Sequence, residues 1–129
     1  MRRRLGRCIM FDNLVSVYVD SENRDGYGEM GWPEKEGDGY PTITIGLKEK
    51  LWAKVVEIAM HEVMEMCWLL GGHQWQPHRG LRNFSSGRFL FIADHNQFTE
   101  VVHNAADVMT YLMPELNKAW KKSKKGRKR

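Results

Sequence analysis

The string His61-Glu62-Val63-Met64-Glu65 lies inside an apolar run in the middle of the chain. On a helix, a four-residue step stacks two side chains on one face, so the imidazole of His61 and the carboxylate of Glu65 can share a ligand. The string is one residue away from the H-E-x-x-H spacing. There, two histidines a turn apart grip a metal ion, and the glutamate beside the first activates a metal-bound water. In this chain the second ligand position is a carboxylate. Lys54, Glu57 and Trp68 fall on the same strip as His61 and Glu65. Further along, Glu100, His103 and Asp107 line up at steps of three and four, and His95 precedes them.

Positioning these groups needs two helices. From Lys48 to Leu70, Trp52, Val56, Ala59, Val63, Cys67 and Leu70 recur at three- and four-residue steps, giving one buried stripe that Gly71-Gly72 ends. Asp94 with Gln97 three residues later is a capping box for a second helix over about 95–120. Its core stripe is Phe98, Val101, Val102, Ala105, Val108, Met109, Leu112 and Leu116, and Pro114 kinks or ends its regular part. Residues 8–20 read as one or two strands, with Asp12-Asn13 either turning a hairpin or interrupting an edge. Gly26, Gly28, Gly31, Gly37 and Gly39 mark a loop, a lid or a hairpin beside the site, and Thr42 to Ile45 alternates as a short strand that Gly46 closes. Arg88 to Ile92 reads as a further extended segment. The expected fold is α+β, with a small antiparallel or mixed sheet packed on two long helices.

A short strand followed at once by a helix carrying His-Glu-x-x, and then by a second helix offering another ligand, resembles the minimal core of the zincin metallopeptidases. The likeness extends over about residues 40–115 and is nearest to small single-domain zincin-like proteins of phages and mobile elements. It implies that His61 is a metal ligand and Glu62 the general base. The family's second histidine is replaced by Glu65, and His103 is the expected third ligand, with His95 in reserve. Glu100 and Asp107 would orient His103. The implied cofactor is one divalent metal, zinc first, and the implied reaction is peptide or amide hydrolysis by metal-activated water. A second expectation keeps the zincin-like fold without catalysis, as a binding or inhibitor protein against a host protein or nucleic acid. The plain alternative is that these carboxylates form a solvated acidic face.

The 129-residue length fits one domain over residues 1–120. The net charge of +4 comes from the ends: Arg2, Arg3, Arg4 and Arg7, and the tail. Residues 121–129 hold seven cations, Lys121, Lys122, Lys124, Lys125, Arg127, Lys128 and Arg129, and read as a disordered basic tail able to contact phosphate backbones without reading sequence. Trp75, in a polar loop between His73 and His78, is the expected anchor for a partner. Two cysteines, Cys8 and Cys67, fall in a predicted strand and helix and read as buried thiols of a reducing compartment. No secretory leader or bilayer-spanning run is expected, so the protein reads as cytoplasmic, in the host cell if phage-encoded.

Overall fold

The computed structural model describes residues 1–22, 27–31, 39–71, 74–75, 90–91 and 94–126. Strand β1 (Arg2–Met10) returns into β2 (Asn13–Asp20) through a two-residue turn in which Phe11 and Asp12 take positive φ, 45° and 61°. Both residues thus take the left-handed backbone conformation that lets a two-residue turn match the right-handed twist of its strands, and the turn lies one residue earlier than Asp12-Asn13. Positive φ is unfavourable for phenylalanine. Two hydrogen bonds hold it there: Asn13 Nδ2 donates to the Phe11 carbonyl at 2.7 Å, and the Phe11 N–H donates to Asn104 Oδ1 at 3.1 Å.

Strand β3 (Gly28–Gly31) and strand β4 (Thr42–Gly46) complete a four-stranded mixed sheet in the order β1-β2-β4-β3. β4 runs parallel to β2 and antiparallel to β3, so it lies at the centre and β3 forms an edge. The sheet's inner face is Val15, Val17, Val19, Ile43 and Ile45, all essentially buried. Two antiparallel helices cover it, α1 (Trp52–Leu70) and α2 (His95–Gly126). α1 packs against β4 and β3, and α2 against β1. An aromatic pair closes the helix seam at each end: Trp52 with Trp120 at 5.6 Å, and Trp68 with Phe98 at 5.9 Å between ring centroids. The architecture is the expected α+β one. A two-stranded ribbon, β5 (Gln74–Trp75) with β6 (Leu90–Phe91), joins the helices; the rest of the segment expected as a strand over 88–92 lies outside the described residues.

The helices depart from expectation in phase and length. α1 begins at Trp52, and its buried face is Val55, Ala59, Glu62, Val63, Met66 and Cys67, with Trp52, Val56 and Leu70 only half-buried. On α2, Phe98 and Val102 are exposed, while Ala119 joins the buried stripe. Pro114 sits inside α2 without ending it. The basic tail is also corrected over residues 121–126, which continue α2. Lysine is a good helix former, and cations favour the negative end of the helix dipole. Tertiary contacts add to this: Trp120 Nε1 donates to the Glu49 carbonyl at 2.9 Å, and Lys124 Nζ to the Lys48 carbonyl at 3.2 Å. Residues 127–129, with Arg127, Lys128 and Arg129, lie outside the described residues.

The expected capping box forms in both directions. The Gln97 N–H donates to Asp94 Oδ1 at 2.9 Å, and the Asp94 N–H donates to Gln97 Oε1 at 2.8 Å. Asp94→Ala leaves a donor of the first turn without its acceptor and should cost about 1 kcal/mol, measured as a lower urea midpoint with an unchanged slope.

Candidate metal centre

The chemistry-bearing flank of α1 is turned toward the edge strand β3, away from α2. Glu62 shares a face with Val55 and Met66 and is 6 % exposed. It is held beside Gly28: a Cβ built on that glycine would stand 2.5 Å from Glu62 Oε1 and 2.9 Å from Ile58 Cγ2. No side chain larger than hydrogen fits there without displacement. The glycine-rich segment therefore supplies an edge strand beside the site, as the hairpin reading anticipated. Among its expected loop residues, 23–26 and 32–38 lie outside the described residues.

His61, Glu62 and Glu65 converge. One ligand atom from each lies within 4.8 Å of the others, and they are the residues among those described that form such a metal-compatible group. His61 Nε2 stands 3.5 Å from Glu65 Oε2, with the imidazole largely exposed and the Glu65 side chain mostly covered. A cleft of about 490 Å³ opens over this flank, lined by Gly28, Glu49, Lys54, Glu57, Ile58, His61 and Glu62. Lys54 Nζ donates to Glu57 Oε2 at 2.8 Å on its wall.

Burial out of water raises the pKa of Glu62 above the ordinary 4.5. The nearby carboxylates of Glu65 and Glu29 raise it further, and His61 opposes them. A carboxylate raised in this way is a stronger base once ionised, and perturbed groups in clefts are characteristic of reactive sites. One imidazole nitrogen beside carboxylate oxygens is also a donor set suited to divalent first-row ions. The residues therefore fit a metal.

His103 does not join them. Its Nε2 lies 3.4 Å from Asp107 Oδ2, and both side chains are about three-quarters exposed. Successive helical residues turn by about 100°, so His103 stands about 200° from both Val101 and Ala105, the residues that α2 buries. It points to solvent. Asp107 is its neighbour as expected, while Glu100 is exposed and its backbone carbonyl accepts Asn104 Nδ2 at 3.0 Å. His95, the reserve, is exposed at the start of α2, with its carbonyl accepting Thr99 Oγ1. Neither histidine belongs to the cluster.

Trp68, expected on the site strip, instead faces Phe98 in the helix seam. Trp75 lies in β5, and its side chain, like the histidines at 73 and 78, lies outside the described residues. Burial pushes the thiols up, Cys8 to about 11 and Cys67 to about 12, so both are protonated at neutral pH and poor nucleophiles. Among the described residues no helix is long and apolar enough to cross a membrane.

Ile58 and Glu49 line the cleft and were not named from sequence, and Gly28 was named only as one glycine of the segment beside the site. The only signal for Gly28 was its place in the Gly26-Tyr27-Gly28 run next to a strand. No protein-family model, curated protein or solved structure matches the chain.

Proposed function

We propose that the chain binds one divalent metal ion through His61 and Glu65 and hydrolyses a peptide or amide bond, with Glu62 as general base. The observation that carries this reading is the convergence of the three donors within 4.8 Å, two of which, His61 and Glu62, line a cleft. A bound divalent ion would lower the pKa of a coordinated water toward about 7. The protein's part is to place Glu62 next to that position. Gly28 and Ile58 confine its side chain, and its pKa, raised by burial, makes it a stronger base than an exposed carboxylate. The resemblance of the strand and His-Glu helix to zincins supports the same reading.

A second reading is a zincin-like fold that binds metal but does not catalyse. The exposure of His103 favours it, because the cluster then contains one imidazole where zincins use two or more.

Metal binding is tested first. Purified protein stripped with chelator should regain thermal stability with zinc or manganese. An ion at a hundred times its Kd contributes about 2.7 kcal/mol. His61→Ala or Glu65→Ala should abolish that gain, while His103→Ala should leave it unchanged. A stripped protein whose melting does not respond to any divalent ion overturns the metal reading. Metal-dependent stabilisation without cleavage of a fluorogenic peptide library selects the non-catalytic reading.

A further inference from the structure

The face of the sheet opposite the helices carries a separate set of chemistry. Alternate residues of a strand point to the same face, so Arg4 and Arg7, three apart, would ordinarily point to opposite ones. The register of β1 slips between Arg4 and Gly6, where one extra residue enters β1. As a result Arg2, Arg4 and Arg7 pair with Asp20, Tyr18 and Ser16, alternate residues of β2, and all three reach the outer face. Each is exposed.

Tyrosines organise these guanidiniums. Arg2 lies 4.1 Å over the ring of Tyr18, and Arg7 lies 5.0 Å over that of Tyr40. Arg7 Nε also donates to Ser16 Oγ at 3.4 Å. The acidic groups on this side have partners of their own: Asp20 and Glu22 face the Met1 amine at 3.5 and 3.0 Å, and Glu29 accepts the Tyr27 hydroxyl. A row of exposed cations about 6.6 Å apart beside aromatic rings therefore runs along this side of β1.

We propose that this face binds single-stranded nucleic acid, with Arg2, Arg4 and Arg7 on successive phosphates and Tyr18 and Tyr40, with the guanidinium planes stacked on them, as the platform for bases. Flat sheets use aromatic side chains and arginine planes in this way on unstacked strands. A duplex is a poorer fit, because its bases are already stacked and its grooves admit a protruding helix or ribbon, not a flat four-stranded face. Charge on an edge strand also discourages edge-to-edge pairing. That role needs no alignment of the three arginines on one face and no tyrosines beneath them. The surface is distinct from the metal site and does not depend on it.

The test uses the full chain, with fluorescence anisotropy of labelled oligo(dT), oligo(U) and a hairpin duplex at several salt concentrations. Oligo(dT) or oligo(U) should bind more tightly than the duplex. Arg2→Gln/Arg4→Gln/Arg7→Gln should weaken binding at least about tenfold and reduce the salt slope by about 2, as expected for three lost phosphate contacts on a single strand. Tyr40→Ala should weaken binding at least about fivefold, consistent with the loss of one stacked base. Lys121→Gln/Lys122→Gln/Lys125→Gln should change affinity less than about twofold. If the triple arginine variant melts early, Arg2→Gln and Arg4→Gln are read singly below their melting temperatures. The proposal is overturned by absent binding, by duplex preference, or by affinity that follows the lysines of α2 and ignores the arginines.

Discussion

Glu62→Gln is expected to lower metal-dependent peptide hydrolysis by about 10²–10⁴-fold, the usual contribution of a positioned general base, while the metal's stabilisation of the fold persists. Glutamine keeps the shape beside Gly28 but cannot accept the proton. Parallel measurements of kcat and of the metal-induced shift in Tm separate the two roles open to Glu62. If the substitution removes metal binding along with activity, Glu62 is a ligand and not the base.

The same variant reports on pH. The folded-state pKa of Glu62 is raised above 4.5, so the folded protein binds this proton more tightly than the unfolded chain does. The stability it confers is full below the unfolded value and is lost as pH rises through the folded pKa. In metal-free protein, Glu62→Gln should therefore raise Tm at pH 7 by a few degrees and change it little at pH 4. Catalysis has the opposite slope, because the base must be ionised. The rate should climb with pH through the pKa of Glu62 in the metal-bound protein, which the ion's charge would set below the apo value. A Tm difference between wild type and variant that stays constant from pH 4 to pH 7 would exclude burial as the cause of the shift.

Gly28→Ala is the second large effect. The added methyl would lie 2.5 Å from Glu62 Oε1 and 2.9 Å from both Glu62 Cγ and Ile58 Cγ2, inside any normal contact. Relief must come from moving the carboxylate, from pushing β3 away from α1, or from both. Overpacking of this kind costs about 1–3 kcal/mol, and displacing a group that orients the site should reduce metal affinity about 10–100-fold. Urea unfolding of the apo protein and metal titration of the folded protein measure the two losses separately. Glu62→Ala in the Gly28→Ala background should recover part of the stability, because it removes one of the two clashing partners. Strictly additive losses would show that the two residues do not touch.

Much of this arrangement is written locally. Thr42 to Ile45 alternates and is a strand; Asp94 and Gln97 cap α2 as their spacing requires. The four-residue step from His61 to Glu65 brings the pair together because any helix would do so. What sequence could not supply was non-local. Glu62 is buried because β3 crosses over to the far side of β4, an ordering that no local pattern in 21–41 encodes. The extension of α2 past Trp120 rests on carbonyls at Lys48 and Glu49, more than seventy residues away. His103 is a different case. Its place two residues from Val101 and from Ala105 already put it opposite the buried stripe, and helical phase alone argued against its reaching α1.

The contact between Trp120 and the segment ahead of α1 ties the end of the chain to the site. Through its ring on Trp52 and its N–H on the Glu49 carbonyl, the last part of α2 clasps the entry to the helix that carries His61, and Glu49 itself lines the cleft. The last part of α2 thus fastens the start of the helix that carries the candidate metal site. Chain shortened to before Trp120 should lose divalent-ion affinity along with fold stability, although every residue of the cluster remains. Cleavage after Trp120 would retain the indole and remove only Lys124 from these contacts, so ion affinity measured on the two truncations would locate the fastening at one side chain.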